Sequence, residues 1–163
     1  MIIRLFLLLV LSLTSLTIVS QEDPLLVSLL SPAELSKNAN AIIRWNDVNI
    51  EVKAYNKMVY VNKRIVTILN SSGNYKSGAL MFYNGNINIK KLEAKIYNSQ
   101  GQEINKFRKS DFEDVSAVSG VTLYSDNRVK YLSYMPTTYP YTVVFETEVE
   151  YSSTAFIDSW HPI

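Results

Sequence analysis

Apolar and polar residues alternate along most of this chain. Val48, Ile50, Val52 and Ala54 interleave with Asn49, Glu51 and Lys53. A period of two places one face of a strand in a core and the other in water. The alternation starts near Ala41, and a longer run extends from Met58 to Leu69. Asn70-Ser71-Ser72-Gly73-Asn74 then marks a turn, followed by a short strand from Ala79 to Tyr83. Asn84-Gly85 predicts a hairpin, because both residues tolerate positive φ. Ile87, Ile89, Leu92, Ala94 and Ile96 carry the next strand, and the slip of phase after Ile89 predicts a bulge. Asn98-Ser99-Gln100-Gly101 predicts a second hairpin, whose return strand holds Ile104 and Phe107. Lys109 to Gly120 reads as a polar loop with one helical turn at Ser110-Asp111-Phe112-Glu113. Val129, Tyr131 and Ser133 alternate on a later strand, and the segment from Pro136 to Pro140 interrupts it. From Tyr141 to Tyr151 the pattern is clearest: Val143, Phe145, Thr147, Val149 and Tyr151 face one way, and Val144, Glu146, Glu148 and Glu150 the other.

Seven or eight strands joined by short turns predict an all-β fold, an antiparallel β-sandwich or open barrel. A short helix precedes them, since Ser31-Pro32-Ala33-Glu34 has capping-box spacing with proline at the first helical position.

The start of the chain follows another pattern. Arg4 precedes an almost unbroken aliphatic run from Leu5 to Leu13, which grows polar toward Ser20 and ends in Gln21-Glu22-Asp23-Pro24. This reads as a secretory signal over residues 1–20, with the β domain over 21–163. The apolar run is shorter than the roughly 20 residues of a membrane-spanning helix, and the alternative is an uncleaved N-terminal anchor. The expected location is exported, periplasmic or associated with the cell envelope.

Charge and composition narrow the function. With Arg4 removed, 15 basic residues balance 15 acidic ones, which argues against a nucleic-acid partner and against electrostatic membrane binding. The chain has no cysteine, so it has no disulfide, no thiolate nucleophile and no cysteine metal site. Its single histidine, His161, lies between Trp160 and Pro162, and no Gly-x-Ser-x-Gly elbow accompanies it. Asp111, Glu113, Asp114 and Asp126 offer carboxylates, but their spacing matches no calcium loop. No metal or cofactor is expected.

Tyrosine is enriched, with 11 in the chain, and the last third is crowded with them. Such rings can stack on sugars or peptides, and they also suit half-buried strands. In an extended segment Asp126 and Arg128 share a face, where they can pair with each other or with a neighbouring strand. Tyr124, Asp126, Arg128, Tyr131 and Tyr141 are therefore the candidate binding or structural cluster.

Several stretches carry a family resemblance. They are Ser31-Pro32-Ala33-Glu34-Leu35 followed by Lys37 to Ala41, Arg64 to Asn70, and Ile96-Tyr97-Asn98 with Gly101. The others are Asp114-Val115-Ser116-Ala117, Tyr124-Ser125-Asp126-Asn127-Arg128-Val129-Lys130 and Tyr139-Pro140-Tyr141-Thr142-Val143. Together they resemble the domain of unknown function found upstream of transglutaminase-like domains in exported bacterial proteins. The resemblance implies a β-sandwich placed before a papain-like Cys-His-Asp catalytic domain, in a β region that usually continues past the position of Ile163. That catalytic domain and its cysteine are absent here. The expected role is a non-catalytic exported module partnered with a transglutaminase-like domain. The alternatives are a stand-alone glycan- or peptide-binding module of the cell envelope, and an enzyme using His161.

Overall fold

The computed structural model describes residues 23, 25–27, 36–117 and 126–155. Eight strands run in chain order: β1 (Ala41–Ala54), β2 (Lys57–Ile68), β3 (Leu80–Tyr83), β4 (Ile87–Tyr97), β5 (Glu103–Arg108), β6 (Glu113–Ser116), β7 (Arg128–Tyr131) and β8 (Tyr141–Tyr151). They form two antiparallel sheets, five-stranded β1-β2-β8-β4-β5 and three-stranded β3-β7-β6. Neither sheet closes into a barrel.

The last strand occupies the middle of the large sheet. Strand β8 pairs with β2 from Met58↔Tyr151 to Ile68↔Tyr141 and with β4 from Ile87↔Tyr151 to Tyr97↔Thr142. The side chains assigned inward by periodicity form the core. Ile89, Leu92, Ala94, Phe145 and Val149 pack with Ala79 and Phe112, and Met81 and Tyr83 of the small sheet close over them. Val66, Ile68, Ile96, Tyr141 and Val143 continue the same face under Tyr134.

The opposite face of the large sheet carries a ladder of ion pairs. Glu146 lies between Lys91 and Lys63, Glu150 between Lys57 and Lys90, and Glu93 between Lys106 and Lys95. Burial alone would raise the Glu93 carboxyl, but Lys106, Lys95 and Lys91 together lower it. At one end this face is dry: the hydroxyls of Thr67 and Thr142, both fully buried, bond each other at 2.9 Å. Unpaired, either would leave a buried polar group.

The expected bulge falls at Lys90, between Ile89 and Lys91. The Asn98 hairpin forms as well. The Asn98 carboxamide oxygen accepts the backbone N–H groups of Gln100 and Gln102, and Gly101 takes φ 87°, a conformation that favours glycine.

Two expectations are corrected. Asn84-Gly85 does not make a hairpin: β3 pairs with β7 and β4 with β8 and β5, so the turn carries the chain from one sheet to the other. Neither residue has a positive φ; the turn closes through Ile87 N–H to Asn84 C=O at 3.0 Å. The polar stretch after Lys109 holds a 3-10 turn at Lys109–Asp111, but Glu113–Ser116 is strand β6 and not loop. Its short, charged sequence hides its pairing with β7. Strand β7 itself stops at Tyr131, short of Ser133. The signal segment, the capping box at Ser31, Tyr124 and His161 lie outside the described residues.

Candidate functional site

The small sheet concentrates the candidate residues. Register aligns Tyr83, Arg128 and Ser116 across it, and Met81, Lys130 and Asp114 in the next row. These side chains point toward the large sheet or its margin. Arg128 does not pair with Asp126. Its Nε donates to an Asp114 carboxylate oxygen at 2.9 Å and to the Tyr83 hydroxyl oxygen at 3.1 Å. The Tyr83 hydroxyl donates to the other Asp114 oxygen at 2.7 Å, and Lys130 Nζ lies 3.0 Å from it. Asp126 instead accepts the Gly85 N–H at 3.1 Å, tying the sheet-switching turn to the segment before β7.

Asp114 is thus held ionised, down to about 2, first by the Tyr83 hydroxyl and then by Lys130 and Arg128. A carboxylate depressed below its ordinary value of about 3.9 stabilises the fold above that pH and loses the contribution as pH falls through its folded value. Asp114→Asn is expected to lower Tm by a few degrees at pH 7. Wild type and variant are expected to converge between pH 4 and 2 in a thermal melt series. Parallel curves across that range would show that the carboxylate charge is not responsible.

The two described tyrosines of the candidate cluster, Tyr131 and Tyr141, are both hydrogen-bonded within the chain. Tyr131 donates to the Glu113 carboxylate across β7 and β6. Tyr141 is 3% exposed, and its hydroxyl donates to the Asn74 side chain at 3.2 Å. Burial, then the neighbouring Tyr139 and Tyr134, pushes its phenol up. Phe107, Tyr134, Tyr141 and Tyr139 contact in series with centroids 5.7–5.9 Å apart, so these rings close one end of the sandwich and do not present a common open platform.

The other side of the small sheet, where register also places Tyr131, carries apolar side chains outside the candidate cluster. Leu80, Phe82 and Val115 are exposed there, with Phe82 at 59%. Phe82, Val129 and Val115 line up across all three strands. Beside Phe82, a cleft of about 380 Å³ is lined by Tyr83, Asn84, Ile87, Ala117 and Asn127. A signal was present: Leu80-Met81-Phe82-Tyr83 is apolar without interruption, the mark of a strand covered on both faces. Among the described residues no group of histidine, cysteine, aspartate and glutamate is arranged to hold a metal ion. The arrangement can bury an apolar partner, and its charges neutralise one another.

A family model for a domain of unknown function with a solved structure, DUF3857, matches residues 54–162. The chain belongs to the DUF3857 family. Among curated proteins, none matches it. Among solved structures it is similar to the crystal structure of a candidate protease from Parabacteroides distasonis, with a TM-score of 0.58 and 11% identity. That likeness covers 72% of this chain and 24% of the other, and at such identity it shows the fold alone. The DUF3857 match spans β2 to β8, including all three strands of the small sheet. It leaves nearly all of β1 ahead of it.

Proposed function

We propose that this DUF3857 protein is an exported, non-catalytic module that docks and positions a transglutaminase-like catalytic domain. The observation that carries this reading is the apolar outer face of the small sheet. In a two-layer sandwich the outward residues are ordinarily polar. Leu80 and Phe82 on β3 and Val115 on β6 break that rule on the two strands that flank β7. An apolar outer row on the small sheet fits a third layer, and a neighbouring domain supplies one. The likeness to a quarter of a longer candidate protease supports the same division of labour. A chain with no cysteine fits a partner that brings its own nucleophile.

The test is to titrate the purified protein with a transglutaminase-like domain from the same organism. Binding in the micromolar range is expected, about −8 kcal/mol. Phe82→Asp, which places a charge in the middle of the apolar row, is expected to weaken it at least tenfold while leaving Tm nearly unchanged. No binding, or binding indifferent to Phe82→Asp, would sink the proposal. The protein alone is expected to show no peptide hydrolysis, and turnover lost in His161→Ala would replace this reading with that of an enzyme.

A further inference from the structure

Strand β1 is the longest in the fold at 14 residues, and it lies at the edge of the large sheet. Edge strands offer unpaired backbone groups, and proteins ordinarily blunt them with bulges, prolines or inward charges. Here the register shifts fall only near the ends, at Arg44 and Lys53. Between them β1 is regular, and among the described residues no strand pairs with its outer edge. Its core-side face is Val48, Ile50 and Val52, which the small sheet does not reach; they are 39%, 41% and 56% exposed. An ordinary solvated strand end would carry polar residues there.

The sequence of β1 is complementary to itself when run antiparallel about Ile50. In that register Ile50 lies opposite the partner's Ile50, and Val48 opposite the partner's Val52. Asp47 lies opposite the partner's Lys53, and Asn49 opposite the partner's Glu51. No like charges face each other, and the apolar residues of two copies form one continuous row. Asp47 has no ion pair among the described residues, and Lys53 has only Glu51. The same register brings the partner's Tyr55, at the hairpin tip, beside Trp45. In this chain Tyr55 is 88% exposed, and a cleft of about 420 Å³ runs along Ile43 to Asp47.

We infer that the protein forms a two-fold dimer by antiparallel pairing of β1 with the same strand of a second copy, joining two five-stranded sheets into one. A two-fold contact covers the β1 edge of both copies at once, and β5 is then the edge at either end of the joined sheet. The inference is independent of the docking role of the small sheet, which lies on other strands.

Sedimentation of the purified protein at 1–100 µM, concentrations chosen on the order of typical transient-to-stable dimer affinities, provides the test. A monomer–dimer equilibrium is expected. Asp47→Lys sets two cations opposite the partner's Lys53 in each dimer and is expected to raise the dissociation constant about tenfold. The double variant Asp47→Lys/Lys53→Asp restores opposite charges and is expected to return within about threefold of wild type. Ile50→Lys, at a surface position, is expected to leave a folded monomer by circular dichroism. A monomer at 100 µM in the wild type would overturn the inference. So would a dimer indifferent to Ile50→Lys, or a double variant no better than Asp47→Lys alone.

Discussion

Phe145→Ala is expected to lower stability by about 3–5 kcal/mol, the usual cost of deleting a buried aromatic side chain. Phe145 is 6% exposed on the central strand. Its backbone lies between Arg64 of β2 and Ala94 of β4. Its ring meets that of Phe112 at 6.1 Å, where the chain enters β6. Truncation would therefore leave a cavity at the point where both sheets touch, and the rigid strands on either side limit how far it can collapse. In a thermal melt the drop is expected to be about 10–20 °C for a domain of this size. Glu148→Ala, on the wet face of the same strand, is expected to stay within about 0.5 kcal/mol of wild type. Equal effects from the two variants would contradict the assignment of inner and outer faces.

Gly73→Ala is expected to be the next most damaging change, at about 1–3 kcal/mol. Gly73 is buried in the 3-10 turn that follows β2. A Cβ there would stand 2.1 Å from the Asn40 carbonyl oxygen and 2.7 Å from its carbonyl carbon. Those atoms are backbone and cannot rotate away. The same oxygen accepts the Leu69 N–H at 2.9 Å, the bond that ties the end of β2 to the start of β1. Moving it loosens that junction. Gly85→Ala is the matched comparison, since its Cβ would meet only the Asp126 carboxylate at 3.4 Å, and it is expected to be nearly neutral. Denaturant midpoints of the two variants check the difference; a neutral Gly73→Ala would mean the turn is free to shift.

The large sheet was legible because its residues announce their surroundings locally. The alternation from Tyr141 to Tyr151 coincides with β8, and the slip after Ile89 coincides with a real bulge. The small sheet was harder to read. Its strands are four residues long, too short for a period to establish itself, and their partners are far away in sequence. Asn84-Gly85 has the composition of a hairpin, yet whether the strands on either side pair is decided by which other strands compete for them. The Arg128 salt bridge has the same origin: the local candidate was Asp126, and the register of β6 and β7 supplied Asp114. Tyrosine count suited a stacking surface and half-buried strands alike, and only the fold shows that Tyr131, Tyr139 and Tyr141 are hydrogen-bonded to Glu113 and Asn74. The exposed valines of β1 followed the expected alternation and missed only their cover.

The central place of β8 sets an order of events. Until it is made, the β1–β2 and β4–β5 hairpins share no ladder of hydrogen bonds, and an isolated hairpin is marginal in water. On the ribosome, the 83 residues that follow Ile68 through Tyr151 take on the order of 5–15 s to synthesise. For that interval the edge of β2 destined for β8, rich in valine and isoleucine, stands open, joined by the edge of β4 once Tyr97 is made. Assembly is then a single late insertion spanning most of the chain, a topology that folds slowly. In a chain cut before Tyr141 the two hairpins of the large sheet would have no strand to join them, and holding the β2 and β4 edges apart from other chains is what a chaperone would have to do for this protein.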